Sequence, residues 1–290
     1  MSYAPHAEFI APARAKSEVW RTIVGMGLCF AVYAISIWLF FSPIFDAPPS
    51  TEGATAFSPV KTMAVLYSFL CMILGPAVTV WILHNRKPLT LFGDVQQIWP
   101  YFWRAVKAML FLHVAIIFLP PYGGGENVEV VKNLSGVVWL YLLPLSLLGL
   151  LIQTSAEEIL FRGYLQQQIA ARFSSRWMWM GITALLFGLG HYDTNNGANA
   201  WMIVVWAGMF SLAASDLVAR TGNLGAAIGL HFVNNAFGML IVAYPGEMSG
   251  LALYVLPEGI DNFAPTSVEI MQEFAMLAVS WLAIRVGVRR

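Results

Sequence analysis

Leu151-Ile-Gln-Thr-Ser-Ala-Glu157-Glu158-Ile-Leu-Phe-Arg162-Gly-Tyr-Leu165 closes a long apolar run with two adjacent acids and, four residues after the second, an arginine. An acidic side chain at membrane depth costs about 2.5–3.5 kcal/mol on insertion scales, so two in a row need partners inside the protein or a function. The rest of the chain says that the surroundings are membrane. Its 290 residues are 58% hydrophobic and 11% charged, and the mean hydropathy is +0.67. A soluble domain carries about 25% charged residues. The fold class is therefore all-α, a polytopic transmembrane helical bundle.

A span needs about 20 mostly apolar residues. Eight such runs are present, at about 22–42, 62–83, 104–120, 136–156, 177–191, 200–219, 224–244 and 267–286. The fifth begins Arg176-Trp-Met-Trp-Met180, where two tryptophans suit an interface. Segment 88–103, with Trp99, Tyr101, Phe102 and Trp103, reads as an amphipathic helix on the membrane surface. With the N-terminus in the cytoplasm, the inner segments hold Arg14, Lys16 and Arg21; Arg86, Lys87, Arg104 and Lys107; Arg162, Arg172 and Arg176; Arg220; and Arg285, Arg289 and Arg290. Only Lys61 and Lys132 fall outside, so the positive-inside rule puts both termini in the cytoplasm. Outer loops carry Asp46, Glu52, Glu126, Glu129, Glu247, Glu258 and Asp261, and Gly123-Gly124-Gly125 marks an exterior turn.

The chain reads as a single integral membrane domain over 1–290, with a polar cytoplasmic segment at 1–21 and a motif-bearing core at about 136–244. The first three spans serve as support. No cleavable signal is expected, because the first apolar run is too long for a signal-peptide core. Zero net charge and a pI near 7.0 give no reason to expect nucleic acid. Cys29 and Cys71 lie inside apolar runs and read as small helix residues. His6, His84 and His113 have no motif context, and Asp193 and Asp216 read as loop or helix-end residues.

Three motifs carry the chemistry. In Glu157-Glu158-x-x-x-Arg162, Glu158 and Arg162 share a helix face as an i,i+4 pair. Glu157 points about 100° away and is the freer carboxylate, able to take a proton from water. In Phe187-Gly-Leu-Gly-His191, the ring sits one turn below the imidazole. In His231-Phe-Val-Asn234-Asn235, His231 and Asn235 share a face of a run that also holds Gly225-x-x-x-Gly229, a close-packing pattern. Each motif alone fits helix-end solvation or interhelical hydrogen bonding. Together they are complementary: a carboxylate and a histidine activate water, and a histidine and an asparagine donate to a developing oxyanion. The implied reaction is hydrolysis of an acyl bond, with a peptide bond as first choice.

The three motifs, in this order on successive helices, resemble those of the CPBP family, which comprises CAAX prenyl endopeptidases and bacteriocin-processing or self-immunity (Abi) proteins. The resemblance covers about 157–235. It implies an intramembrane endopeptidase acting on a membrane-associated protein or peptide. Glu157 would be the general base assisted by His191, His231 and Asn235 the oxyanion hole, and Glu158 and Arg162 the support. The family is often labelled metalloprotease, and Glu157, His191 and His231 would be the zinc ligands. The chain has no His-Glu-x-x-His, so no metal is the favoured reading and zinc the alternative. A competing reading keeps the scaffold without proteolysis, as a binding, immunity or complex-subunit protein. A third, a proton or solute relay through Glu157, His191 and His231, lacks the inverted repeat of a transporter. A short, loop-poor chain fits the bacterial inner membrane.

One geometric tension follows from these spans. Glu157 falls at the cytoplasmic end of its helix, whereas His231 lies about 10 Å and His191 about 21 Å deep along straight spans. The residues meet only if 176–180 lies along the interface or the fourth helix runs deeper. Both are expected.

Overall fold

In lipid every backbone polar group must be paired within the chain, and helices do this segment by segment. A computed structural model describes residues 3–45, 58–118, 129–246, 248–257, 259, 262 and 266–289. Their helices are α1 (Ala4–Ile10), α2 (Val19–Phe45), α3 (Pro59–Ile82), α4 (Val95–Ile117), α5 (Gly136–Arg172), α6 (Trp177–Leu189), α7 (Ala200–Thr221), α8 (Gly225–Ile241) and α9 (Ser267–Gly287). The helical membrane bundle is as expected. Five helices (α2, α3, α5, α7 and α9) are long and apolar enough to cross a membrane, and α6 and α8 are shorter apolar helices. Asp46, Glu52, Glu126, Glu247, Glu258, Asp261 and the triple-glycine turn lie outside the described residues.

Several boundaries differ from the sequence reading. The fourth span does not stop near residue 156 but continues to Arg172, through a wider π-helical stretch at Ile159–Gln166. Glu157 is therefore mid-helix, and Arg162, counted above as an inner-loop charge, is fully buried. The depth tension is resolved from this side. Segment 88–103 is not a separate surface helix: after a short 3-10 turn at Pro88–Leu91, α4 runs unbroken from Val95 and absorbs the third span. Its Tyr101, Phe102, Ala105, Val106 and Met109 form the buried face, while Trp99 and Trp103 face outward. Trp179, expected at an interface beside Trp177, is buried against His6 and Tyr3 of the N-terminal segment, with ring centroids 4.3 and 6.1 Å away. Trp177 is exposed.

Three two-residue strands give no period-two signal in sequence. β1 (Val131–Lys132) pairs antiparallel with β3 (Tyr254–Val255), which pairs parallel with β2 (Val242–Ala243). They tie the loop before α5 to the end of α8.

The Gly225-x-x-x-Gly229 pattern does what it predicts. A Cβ at Gly229 would stand 2.8 Å from the Phe102 carbonyl oxygen and 2.8 Å from the Ala105 Cβ, and one at Gly225 would run into the Ile98 carbonyl. The two glycines let α8 lie directly on the α4 backbone. Gly229→Ala must push the helices apart and is expected to lower stability by about 1–3 kcal/mol, read as thermal unfolding in detergent.

The N-terminal segment, read as a cytoplasmic tail, packs onto the bundle. His84 donates from Nδ1 to the Lys16 carbonyl (3.0 Å), and its Nε2 accepts from the Tyr164 hydroxyl (3.0 Å). Gln167 of α5 donates to the Phe9 carbonyl at 2.7 Å. Burial pushes the imidazoles of His6 and His84 down to about 4. An unfolded histidine titrates near 6.5. Both rings thus stay neutral in the fold, and the exposed forms bind protons first. Their stabilisation is complete above pH about 6.5 and is lost as the pH falls toward 4. The protection factors of Ala4–Ile10, corrected for the intrinsic slowing of exchange in acid, are expected to fall from pH 7 to pH 5, and less so in His6→Phe.

A buried carboxylate cluster as the candidate active site

Helix α5 brings Gln153, Glu157, Glu158 and Arg162 into the bundle on successive turns. Single π-helical turns inside α-helices concentrate at functional sites, and here one begins immediately after Glu158. The Arg162 Nη1 donates to the Glu158 Oε1 at 3.0 Å, with both side chains fully buried, as their i,i+4 spacing predicts. The guanidinium also lies 4.6 Å from the centre of the Phe187 ring. A cation over an aromatic face is stabilised further when desolvated.

Helix α8 contributes His231 and Asn235 one turn apart. His231 bridges the two acids: its Nδ1 is 2.9 Å from Glu158 Oε1, and its Nε2 is 3.8 Å from Glu157 Oε2. Asn235 donates to the Gln153 Oε1 at 3.0 Å, and Gln153 donates from Nε2 to the Glu157 Oε1 at 2.5 Å. A continuous chain therefore runs from Asn235 through Gln153 to Glu157. Gln153 was not singled out in the sequence. The signal was available, since it stands one turn before Glu157 on the same face.

Glu157 is nine-tenths buried, and its Oε2 has no hydrogen-bond partner among the described residues. Glu158 has its Oε1 held by both Arg162 and His231, and its Oε2 is likewise without a hydrogen-bond partner among the described residues. The two carboxylates differ in their partners: Glu157 is bonded by Gln153, and Glu158 by Arg162 and His231. Two carboxylates face one guanidinium and one imidazole here.

His191 sits just past the end of α6 and is exposed. Its Nδ1 lies 2.8 Å from the Phe187 carbonyl oxygen, which can only accept, so Nδ1 carries the proton and Nε2 is left with a lone pair. Phe187 joins the two histidines, with centroids 4.6 Å from His191 and 6.1 Å from His231. His231, Glu157, Glu158, Arg162 and Asn235 thus come together, while His191 stands at the edge of the group. Among the described residues no three His, Cys, Asp or Glu side chains gather as a metal-binding set. Glu157 and His231 are neighbours, but His191 does not complete a zinc site with them, and no step is assigned to a metal.

Asp193 caps the turn at Thr194–Asn199, accepting from the Asn195 backbone N–H at 2.9 Å. Asp216 is not a loop residue. It is buried near the end of α7, away from the motif residues and bonded to other partners.

The family model for type II CAAX prenyl endopeptidase Rce1-like proteins matches residues 138–237. That range contains Gln153 and every motif residue from Glu157 to Asn235. The uncharacterized protein YyaK of Bacillus subtilis (strain 168) is 32% identical over 125 residues, covering 41% of this chain and 39% of the relative. The chain thus spans well under half the length of the curated relative it matches. No solved structure matches. Over residues 138–237, then, this integral membrane chain is similar to the Rce1-like type II CAAX prenyl endopeptidases.

Proposed function

We propose that the chain is an intramembrane endopeptidase that hydrolyses a peptide bond of a membrane-associated protein or peptide, using water activated by Glu157. The observation that carries this reading is the Glu157 Oε2, buried, without a hydrogen-bond partner among the described residues and facing the His231 Nε2 at 3.8 Å. A buried carboxylate with one uncommitted oxygen has the geometry of a general base.

In the proposed reaction Glu157 takes a proton from water, and the hydroxide oxygen attacks the scissile carbonyl carbon. The carbonyl electron pair moves onto oxygen. Two groups receive that charge: the second amide N–H of Asn235, whose first is committed to Gln153, and the imidazole of His231. Collapse of the intermediate breaks the C–N bond, and the proton held by Glu157 passes to the departing amine. His191 assists from the rim, where its free Nε2 accepts a hydrogen bond from the water or the substrate. Glu158 and Arg162 fix the His231 ring. The proposed setting is a bacterial inner membrane with both termini in the cytoplasm.

The test compares membranes carrying the native chain with membranes carrying Glu157→Gln at matched expression, reading protein N- and C-termini by mass spectrometry. New termini present only with the native chain support the proposal and identify the substrate. Identical termini in both, with a phenotype of the gene retained by the variant, replace proteolysis with a binding role.

A further inference from the structure

The C-terminal halves of α7 and α9 line a cavity of about 460 Å³, within the range of about 300–1,000 Å³ common for ligand pockets. Its two ends differ in chemistry. At one end lies Asp216, buried, with every oxygen committed. The Tyr3 hydroxyl donates to Oδ1 at 2.5 Å, and the Arg220 Nε and Trp281 Nε1 donate to Oδ2 at 2.7 and 2.9 Å. The Arg285 Nε stands 3.9 Å from the same Oδ2, too far for a hydrogen bond, and its guanidinium lies 4.5 Å from the centre of the Trp281 ring. Among the described residues Asp216 is the one acid lining the cavity, against the two guanidiniums of Arg220 and Arg285. Arg176, whose guanidinium is 5.1 Å from the centre of the Tyr3 ring, adds a third positive charge. The polar end therefore carries excess positive charge beside a saturated carboxylate.

The other end is apolar. Met209 lies two turns before Asp216 on α7, and Phe274 two turns before Trp281 on α9, so the cavity follows both helices for about 10 Å. Leu212 and Ala278 complete this stretch, and Met209 is about half exposed on the outer surface of two helices long and apolar enough to span a membrane.

A cationic end on a pair of membrane helices, continued by an apolar groove open to the side, has the shape and charge of an amphiphile with an anionic head. Guanidinium groups recognise phosphate oxygens through paired hydrogen bonds, and basic pockets between membrane helices hold anionic headgroups. We propose that this cavity binds an anionic membrane phospholipid, with its phosphate on Arg285 and Arg220 and one acyl chain along Met209 and Phe274. The same contact would clamp the N-terminal segment, through Tyr3 and Asp216, to the ends of α7 and α9. The proposal does not depend on the assignment of Glu157.

The full chain, purified in detergent, is offered phosphatidylglycerol and phosphatidylcholine of identical acyl chains, and retained lipid is read by native mass spectrometry. Retention is expected to favour phosphatidylglycerol by about fivefold, as the net single positive charge of Arg220, Arg285 and Asp216 in the lining implies. Arg285→Gln should bring that preference close to parity. Ala278→Trp, which fills the groove and leaves the arginines in place, should lower phosphatidylglycerol retention with the fold intact, and it carries the test should Arg285→Gln fail to fold. Equal retention of the two lipids overturns the proposal, as does a preference unchanged in both variants. Thermal stabilisation by free glycerol phosphate equal to that by phosphatidylglycerol overturns it too, since the site would then take a phosphate and not a lipid. Displacement of lipid by a peptide carboxylate in place of an anionic lipid would do the same.

Discussion

Glu157→Gln is expected to slow cleavage by about 10²–10⁴-fold, the usual contribution of a positioned general base, with little change in thermal unfolding. Glutamine keeps the shape of the side chain. Its carbonyl oxygen can still accept from Gln153, which now donates to Glu157 at 2.5 Å. What is lost is the ability of the second oxygen to hold a proton. Asn235→Ala should cost about 10²–10³-fold, in the range for a single oxyanion donor. Gln153→Ala should cost less than either, because Gln153 acts on Glu157 and Asn235 by holding them and takes no part in proton transfer. A purely structural cluster would give the opposite pattern, with unfolding temperatures falling and the rate per folded molecule unchanged. Turnover of an identified substrate by purified variants in proteoliposomes, beside thermal unfolding of the same samples, separates the two. Wild-type turnover by Glu157→Gln would remove Glu157 from the chemistry.

The legible part of this molecule was the part governed by helix periodicity. Spacing alone paired Glu158 with Arg162, set Glu157 apart and put His231 and Asn235 on one face, because an i,i+4 relation survives wherever the helix lies. Gly225 and Gly229 declared a close crossing for the same reason. Span ends were less legible. Hydropathy stops counting where polar residues begin, so α5 was cut near Glu157, although Gln153, Glu157, Arg162 and the glutamines beyond are polar residues buried by other helices and not by lipid. The split of α4 near residue 104 had another source: the aromatic stretch before it reads as a surface helix, although Tyr101 and Phe102 belong to one continuous packed face. Trp179 misled because tryptophan near a span end usually marks an interface. Here a short N-terminal helix, invisible to hydropathy, covers it. Asp216 and Tyr3 are 213 positions apart, and no local pattern connects them.

Arg162 is the position where a single change should do most harm to the fold. Arg162→Met leaves Glu158, fully buried, with His231 as its remaining charged partner, and Glu157 a turn away with an uncommitted oxygen. Breaking a buried pair from one side costs about 3–5 kcal/mol, because the surviving charge keeps its desolvation penalty and loses its compensation. The loss of the guanidinium from the Phe187 face adds to this. Removing both charges is a different matter, since apolar replacement of a buried pair is often neutral. The double variant Glu158→Gln with Arg162→Met should therefore recover most of the stability lost by Arg162→Met, with a coupling at the upper end of the roughly 0.5–3 kcal/mol seen for residues in one network. Activity should not follow. His231 would keep its place on α8 but lose the carboxylate that holds its Nδ1, so cleavage should remain impaired in a protein that unfolds almost as the native chain does. Thermal unfolding and turnover measured on the two single variants and the double variant close this cycle. Arg162→Met unfolding within about 0.5 kcal/mol of the native protein, the range of an ordinary surface change, would show that the pair does not anchor the bundle. A double variant that regains cleavage along with stability would show that Glu158 supports the fold and not the histidine.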